Sequence, residues 1–159
     1  MTLRLRPHHL LCVLTYVGKG YSPDFTANMT RIAGRLGAGE AVEIVVGPDD
    51  ICAPLLDGPD PHCHRPSVVE RDRAAARDLD DLLGLDVRTG AHLVLDEDLA
   101  SRLRTAFASG TIRSACAGCA WVDLCGSIAA SGFDSAVLET RRLHSIAHNR
   151  HRRRTSSRR

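Results

Sequence analysis

Three cysteines within ten residues, CAGCAWVDLC at positions 116–125, constrain this chain more than any other stretch of it. Cys116 and Cys119 form a C-x2-C pair, and Cys125 follows after five further residues. A loop of this spacing brings two sulfurs within bonding range of one metal centre. Gly118 allows the tight turn that such a loop needs. We therefore expect the fold to close around a metal site here, with Trp121 shielding it from water.

The residues around this motif distinguish the kinds of centre it could serve. A c-type haem requires His directly after the second cysteine, and Ala120 stands there. A thioredoxin-like pair follows a strand, and the preceding GTIRSA is a poor buried strand. Structural zinc commonly uses two C-x2-C knuckles, of which this chain has one. Three clustered cysteines and one remote cysteine are typical of cuboidal clusters, so the spacing favours [4Fe–4S] over [2Fe–2S]. Zinc, or simple packing of the thiols as small apolar groups, stays as the alternative.

The fourth ligand has to come from the three remaining cysteines. Cys52 follows a predicted strand, Cys63 lies in a loop between two histidines, and Cys12 lies on a predicted N-terminal helix. The sequence does not rank these three. The adjacent Asp49 and Asp50 are expected to cap a turn rather than to act as an acid–base pair.

The stretch RPHHLLC, residues 6–12, places two histidines within one helical turn of Cys12. On a helix His8 and Cys12 share a face, whereas His9 lies about 100° round the axis from His8. The tandem histidines are therefore not expected to act as a matched pair. Cys12 is either a remote ligand with a histidine as hydrogen-bond donor to its sulfur, or a nucleophile with His8 as base. A polar helix start over a buried thiol is the plain alternative.

The last nineteen residues differ in charge from the rest of the chain. They contain eight arginines and no acidic residue, while the remainder has 13 basic and 19 acidic residues. We expect a globular domain over 1–140 and a basic tail over 141–159 that continues the last helix and then loses order. Basic tails of this kind can contact nucleic acid. A zinc-stabilised binding module with a nucleic-acid-binding tail is therefore a second hypothesis, and a thiol enzyme using Cys12 and His8 is a third.

The expected cellular compartment follows from two features that the sequence does not show. No apolar run reaches the length of a membrane span, and the N-terminal stretch has no cleavage site of a signal peptide. We expect a cytoplasmic protein whose thiols are reduced and whose partner is not a membrane.

The remaining pattern predicts a helix-rich α+β fold in a single small domain, with about five helices and one or two short strand segments. Ser22 and Asp96 are predicted N-caps, SVVE at 67–70 a capping box, and Gly84 a helix stop. The predicted helices are 8–17, 22–36, 67–83, 96–108 and one from 134 onward, with one or two further turns at 121–130. The predicted strands are 41–47 and a short segment within 85–95.

Four motifs together, RPHHLLC, TYVGKGYS, GPDDIC and CAGCAW…C, resemble a family of small bacterial and archaeal proteins, domain of unknown function 1284. Its members are regarded as candidates for iron–sulfur binding. The resemblance covers roughly residues 4–130 and implies a cysteine-bound cluster, with no established reaction or substrate. Our first hypothesis is a cluster protein with a redox, sensing or cluster-dependent role and a redox or protein partner. Many members carry a further cysteine after GPDDIC, which this chain lacks. All six cysteines fall on cysteine positions of the family: Cys12, Cys52, Cys63, Cys116, Cys119 and Cys125.

Overall fold

The computed structural model describes residues 1–84 and 86–142. Within these residues five helices and one three-stranded sheet confirm the predicted α+β, helix-rich fold. No helix in the described part of the chain combines the length and the apolar character needed to cross a bilayer. The elements are β1 (Thr2–Leu5), α1 (Pro7–Thr15), α2 (Pro23–Gly37), β2 (Ala41–Ile44), α3 (Pro66–Leu83), β3 (His92–Val94), α4 (Glu97–Ala108) and α5 (Val122–Ala130).

The sheet has the strand order β1-β2-β3, with β1 parallel to β2 and β3 antiparallel to it. Leu5 pairs with Ile44, and Val42 pairs with Leu93. Alternate residues of β1 and β2 are buried, as expected for a sheet with one face on a core. Strand β1 is absent from the prediction because its four residues are too few to establish a period.

Helix α1 lies at the centre of the molecule and contacts α3, α4 and α5. Leu10, Leu11, Val13 and Leu14 of this helix are all buried. Each such side chain contributes roughly 1.5–3 kcal/mol relative to full exposure. The helix, and with it Cys12, is therefore firmly fixed in position.

Each predicted helix cap can be compared with the observed end of its helix. The side chain of Ser22 accepts a hydrogen bond from Phe25 N, and Asp96 does the same at α4, so both predicted N-caps are confirmed. Gly84 ends α3 in the left-handed conformation, also as predicted. The capping box at 67–70 is wrong: α3 begins one residue earlier at Pro66, which has no N–H to satisfy and is suited to the first position of a helix.

The helix predicted from residue 134 is also wrong over the described residues. Residues 131–142 form turns and extended chain, beginning with positive φ at Gly132 and Phe133. Val137 N then donates to Tyr16 O at 2.8 Å, and Leu138 is buried. Packing of this segment against the core therefore outweighs its local helical tendency. The tail from 143 to 159, and the nucleic-acid contact predicted for it, lie outside the described residues.

Candidate metal centre

All six cysteines line one cavity of about 120 Å³. They fall into two groups by the side chains that act on them. The four-cysteine group consists of Cys12, Cys116, Cys119 and Cys125, and the cysteine pair consists of Cys52 and Cys63. In the first group, burial raises the pKa of Cys12 well above its ordinary value, and the charges of the other three thiols raise it further. In the second group, burial raises the pKa of Cys52, and the charge of Asp49 and the neighbouring Cys63 thiol raise it further.

The C-x2-C loop owes its shape to two local features. Residues Ser114–Cys116 form a single 3-10 turn, and Cys119 N donates to Cys116 O at 3.0 Å. Gly118 between the two cysteines has φ +70°, a conformation that favours glycine, as the sequence predicted for this turn. Helix α5 then begins at Val122 and carries Cys125, which lines the same cavity as Cys116 and Cys119.

Helix α1 joins this loop through Thr15, which follows Cys12 by three residues. Thr15 Oγ1 lies 3.1 Å from Cys125 Sγ and 3.4 Å from Cys12 O. A hydroxyl has a single hydrogen, and sulfur gains the stronger bond once it is a thiolate. A hydrogen bond that spans 110 residues of sequence thus ties Cys125 to the helix that carries Cys12.

Basic side chains border the four-cysteine group. Burial raises the pKa of Cys116, and the neighbouring Arg113 opposes this rise. Arg71 of α3 also lines the cavity and slightly favours the ionised form of Cys12. These cations offset part of the cost of holding several thiolates together.

Asp49 organises the surroundings of the cysteine pair. Its buried carboxylate accepts hydrogen bonds from Arg6 N at 2.8 Å, Ile51 N at 3.0 Å and Cys52 N at 3.1 Å. His9 Nδ1 lies 2.7 Å from the same carboxylate. Burial alone would raise the pKa of Asp49, but His9 and these backbone donors lower it to about 2. Asp49 therefore caps the turn before Cys52, as predicted, and also orients His9, which the sequence did not indicate.

His8 forms a second carboxylate–histidine pair with Asp72 of α3, at 2.5 Å from Nδ1. Burial, with the charge of His9, lowers the pKa of His8 to about 4 despite Asp72, so its ring is neutral at neutral pH. The centroids of the two histidine rings are 4.3 Å apart, and both rings line the cavity. The two histidines do not face the same partner, since His8 turns its Nδ1 toward the partly buried Asp72 and His9 turns its Nδ1 toward the buried Asp49.

Arg6 links these groups from the residue before α1 and is fully buried. Its Nε and Nη2 contact Asp72 Oδ2 at 2.8 and 2.7 Å. Its Nη1 donates to Cys63 O at 2.9 Å and lies 4.0 Å from Cys52 Sγ. Burial opposes the charge of Arg6, but the bond to Asp72 outweighs it and raises the arginine pKa. Arg6 thus stays charged and positions the cysteine pair.

An aromatic group covers the mouth of the cavity. The Tyr21 ring lies 5.6 Å from the Trp121 ring and 4.9 Å from that of His62, between centroids, and is 52 % exposed. Trp121 lines the cavity beside the C-x2-C loop, where the sequence predicted a shield. Tyr21 connects it to the loop of the cysteine pair.

The arrangement bears on the hypothesis of a Cys12 nucleophile with His8 as base. A reactive thiol needs a lowered pKa, whereas burial and three neighbouring thiols raise that of Cys12. The Nδ1 atom of His8 is bound to Asp72, which leaves Nε2 as the ring nitrogen that could accept a proton. The raised pKa of Cys12 is therefore the feature that opposes its use as a nucleophile.

Four contributors to the site went unnoticed in the sequence: Arg6, Thr15, Asp72 and Arg113. Thr15 had a local signal, since it lies one turn after Cys12 on the same helix. Arg6 and Asp72 are 66 residues apart and had none.

Comparison with known proteins gives one match. The model of a family described as "Protein of unknown function (DUF1284)" matches residues 20–125. This span contains five of the cysteines and ends at Cys125, while RPHHLLC and Cys12 precede it. No curated protein and no solved structure matches the chain.

Proposed function

Since the chain belongs to the DUF1284 family of proteins of unknown function, we propose a function from the site itself: the four-cysteine group holds an iron–sulfur cluster, of the [4Fe–4S] type, that transfers or senses electrons. Cys12, Cys116, Cys119 and Cys125 are the proposed ligands. When bound, the cluster would supply a one-electron change of oxidation state.

The observation that carries this proposal is the meeting of α1 with the C-terminal cysteines. Cys12 reaches the same cavity as Cys116, Cys119 and Cys125 and is subject to the charge of all three. Three clustered thiols and one remote thiol are the ligand set that a cuboidal cluster uses. The cysteine pair interacts with different groups and is left out of this set.

The separation of the sulfurs favours a cluster over a single zinc ion. Zinc at about 2.3 Å from four thiolates holds their sulfurs about 3.8 Å apart. Among the described residues, one trio of potential ligand atoms lies within 4.8 Å of one another, and it contains no member of the four-cysteine group. No three of these four sulfurs are therefore as close as zinc requires. A cuboidal cluster provides a separate iron for each cysteine and spans a wider opening.

The surroundings suit a redox centre. Thr15 Oγ1 and Arg113 can donate to the sulfurs, and such donors favour the more negative, reduced state. Leu11, Phe107 and Ala115 line the same cavity and limit access of water. Ala117, Gly118 and Ala120 of the C-x2-C loop are exposed, so an electron-transfer partner has a short path to the centre.

The test is anaerobic reconstitution with iron and sulfide, followed by metal and sulfide analysis and electron paramagnetic resonance of the reduced protein. We expect about four iron and four sulfide per chain, as a cuboidal cluster requires. Replacing Cys12 with serine is expected to remove most of both. Cys63→Ser is the control, because Cys63 is a buried thiol on the same cavity but outside the proposed ligand set.

Two results would contradict the proposal. One is a colourless protein that holds stoichiometric zinc in the four-cysteine group and no sulfide. The other is a Cys12→Ser variant that keeps the full iron and sulfide content of the parent while Cys63→Ser loses it. Either outcome would mean that the centre uses different residues or a different metal from those proposed.

A further inference from the structure

The aromatic side chains of this protein gather around one cavity. The sequence has one Trp, two Tyr and three Phe, and all of them except Phe133 line the cavity that the cysteines share. Aromatic rings pack favourably with one another, in edge-to-face or offset arrangements. The cavity volume of about 120 Å³ is of the size that holds one ring, because an apolar cavity of about 150 Å³ takes up benzene. The lining therefore suits a small aromatic ligand.

One polar atom that borders this cavity lacks a partner. His8 is 7 % exposed and lines the cavity, whereas Asp72, which holds its Nδ1 at 2.5 Å, lies outside the lining. The ring therefore turns its opposite edge, with Nε2, toward the cavity. Within residues 1–84 and 86–142, Nε2 has no hydrogen-bond partner, yet it does not belong to the fully enclosed unpaired atoms. A ligand in the cavity can thus reach it.

The hydrogen bonds behind His8 decide what this atom can do. Burial favours a raised pKa for Asp72, but its bonds to His8 and Arg6 lower the pKa, so the carboxylate is ionised at neutral pH. An ionised carboxylate has no hydrogen to donate, so the hydrogen of the 2.5 Å bond is on His8 Nδ1. Because burial lowers the pKa of His8 to about 4, its ring is neutral. Its Nε2 therefore carries a lone pair and can only accept a hydrogen bond.

The charges around the cavity disfavour a cationic ligand. In the described part of the chain, no acidic side chain belongs to the lining, while Lys19 and Arg71 do. The charge of Asp72 behind His8 is already matched by Arg6, whose Nη2 lies 2.7 Å from it. An uncharged ligand with a hydrogen to donate is therefore the chemical complement of this lining.

The acceptor and the proposed cluster belong to different parts of the cavity. After burial, the largest influence on the pKa of His8 is the charge of His9, and the largest on that of Cys12 is the charge of Cys125. The rings of the two histidines are 4.3 Å apart between centroids. The half-exposed Tyr21 at the mouth gives a ligand a way in.

We propose that this cavity binds a small uncharged aromatic ligand carrying a hydroxyl or ring N–H group, and that His8 Nε2 accepts the hydrogen bond from that group. Asp72 and Arg6 are the positioning residues, because they hold the ring and its tautomer without touching the ligand. Phenol is the simplest member of this class. The site goes beyond the proposed cluster and does not require it.

The experiment compares phenol with toluene by calorimetric titration of the reconstituted chain. Toluene has the same ring and the same number of heavy atoms, but a methyl group in place of the hydroxyl. A buried hydroxyl without a partner costs about 10-fold or more in affinity, so phenol binds as tightly as toluene only if the cavity supplies an acceptor. We expect phenol to bind at least as tightly. Tighter binding of toluene, or binding of neither compound, overturns the proposal.

The variants assign the acceptor. His8→Phe keeps a ring but removes Nε2, so it should weaken phenol binding by about 10-fold or more and leave toluene binding within about twofold. His64→Phe is the matched control, because His64 is an exposed histidine, and both affinities should stay as in the parent. An unchanged phenol affinity in His8→Phe would show that another group holds the ligand.

Nuclear magnetic resonance of the histidine ring nitrogens tests the same atom without a variant. With ¹⁵N-labelled histidine we expect His8 to carry its hydrogen on Nδ1, and phenol, but not toluene, to shift the Nε2 signal. In Asp72→Asn the tautomer is no longer fixed, so part of the molecules should carry the hydrogen on Nε2. A hydrogen on Nε2 in the unaltered chain contradicts the proposal.

Failure of this site and failure of the cluster are distinguishable. A Cys12→Ser chain that has lost its cluster should still bind phenol, so the ligand site stands even if the cluster does not. Binding of phenol to the cluster-free chain alone would place the ring in the space assigned to the cluster, and would overturn the separate site.

Discussion

Replacing Thr15 with valine should lower the midpoint potential of the proposed cluster. Thr15 is buried, and its hydroxyl lies 3.1 Å from Cys125 Sγ. Valine has the same branched shape but no hydrogen to donate. Since the reduced cluster carries one more negative charge, the lost bond costs the reduced state more than the oxidised state.

The size of the effect follows from the energy of one hydrogen bond. A bond to a charged acceptor contributes about 1.5–3 kcal/mol, and the added electron is shared over the whole cluster. We therefore take the difference in the energy of this bond between the reduced and the oxidised cluster as about 1 kcal/mol, the contribution of a neutral hydrogen bond. For a one-electron couple this corresponds to about 40 mV, because a tenfold change in equilibrium is 59 mV and 1.36 kcal/mol. The expected shift is therefore a decrease of about 20–60 mV.

The assay is an anaerobic redox titration followed by electron paramagnetic resonance. Thr15→Ser should restore most of the potential, since serine keeps the hydroxyl. Ser127→Ala is the control on α5, because its hydroxyl bonds to Asp123 O and not to a sulfur. Equal potentials for the valine and serine variants, or a higher potential for valine, would refute the role given to this hydrogen bond.

Two further predictions concern stability, measured by urea unfolding. Gly37→Ala should destabilise the protein by about 1–3 kcal/mol, because an added Cβ would meet the backbone carbonyl oxygen of Glu139. Gly34 lies three residues earlier on α2 and has open space around it. Gly34→Ala should therefore stabilise the protein by roughly 0.5–1 kcal/mol. Burial favours a raised pKa for Asp72, but its bonds to His8 and Arg6 outweigh this and hold the pKa below the ordinary value of 3.8. Its contribution to the free energy of unfolding is therefore complete above that value and lost as the pH falls through the lower folded pKa, so Asp72→Asn should reduce the acid dependence.

The controls for these predictions come from the same chain. Asp98 is exposed on α4, so Asp98→Asn should leave the pH dependence close to that of the parent. An equal reduction of the acid dependence in both variants would contradict the role of Asp72. A stabilised Gly37→Ala variant would show that residues near 139 do not pack on α2 as described.

The sequence predicted a helix correctly where a capping residue and a helical period occurred together. Ser22 and Asp96 each precede a helical period and offer an oxygen to the third residue after them, so the N-caps followed directly. At 66–70 two local signals competed, and proline at the first helical position prevailed over the serine of the capping box. The segment after 131 had no local signal for the contacts that hold it extended against Tyr16.

The sequence predicted the part of the site that lies within one short segment, but not the parts that come from distant segments. The C-x2-C spacing and Gly118 specify their own loop, whatever the rest of the chain does. The choice among Cys12, Cys52 and Cys63 depends on how α1 packs against α5, and the pairing of Arg6 with Asp72 depends on α3. Contacts across 60 to 110 residues leave no period in the sequence from which they could be read.

The order of the ligands along the chain has a consequence for biosynthesis. His9, Asp49, Cys52 and Cys63, with the supporting Asp72, all belong to the first half of the polypeptide. The four-cysteine group closes only when Cys125 has left the ribosome, since domains form from the N-terminus as the chain emerges. Asp49 and the cysteine pair can thus be in place while translation continues, whereas the proposed cluster has its full set of ligands only after Cys125 has emerged.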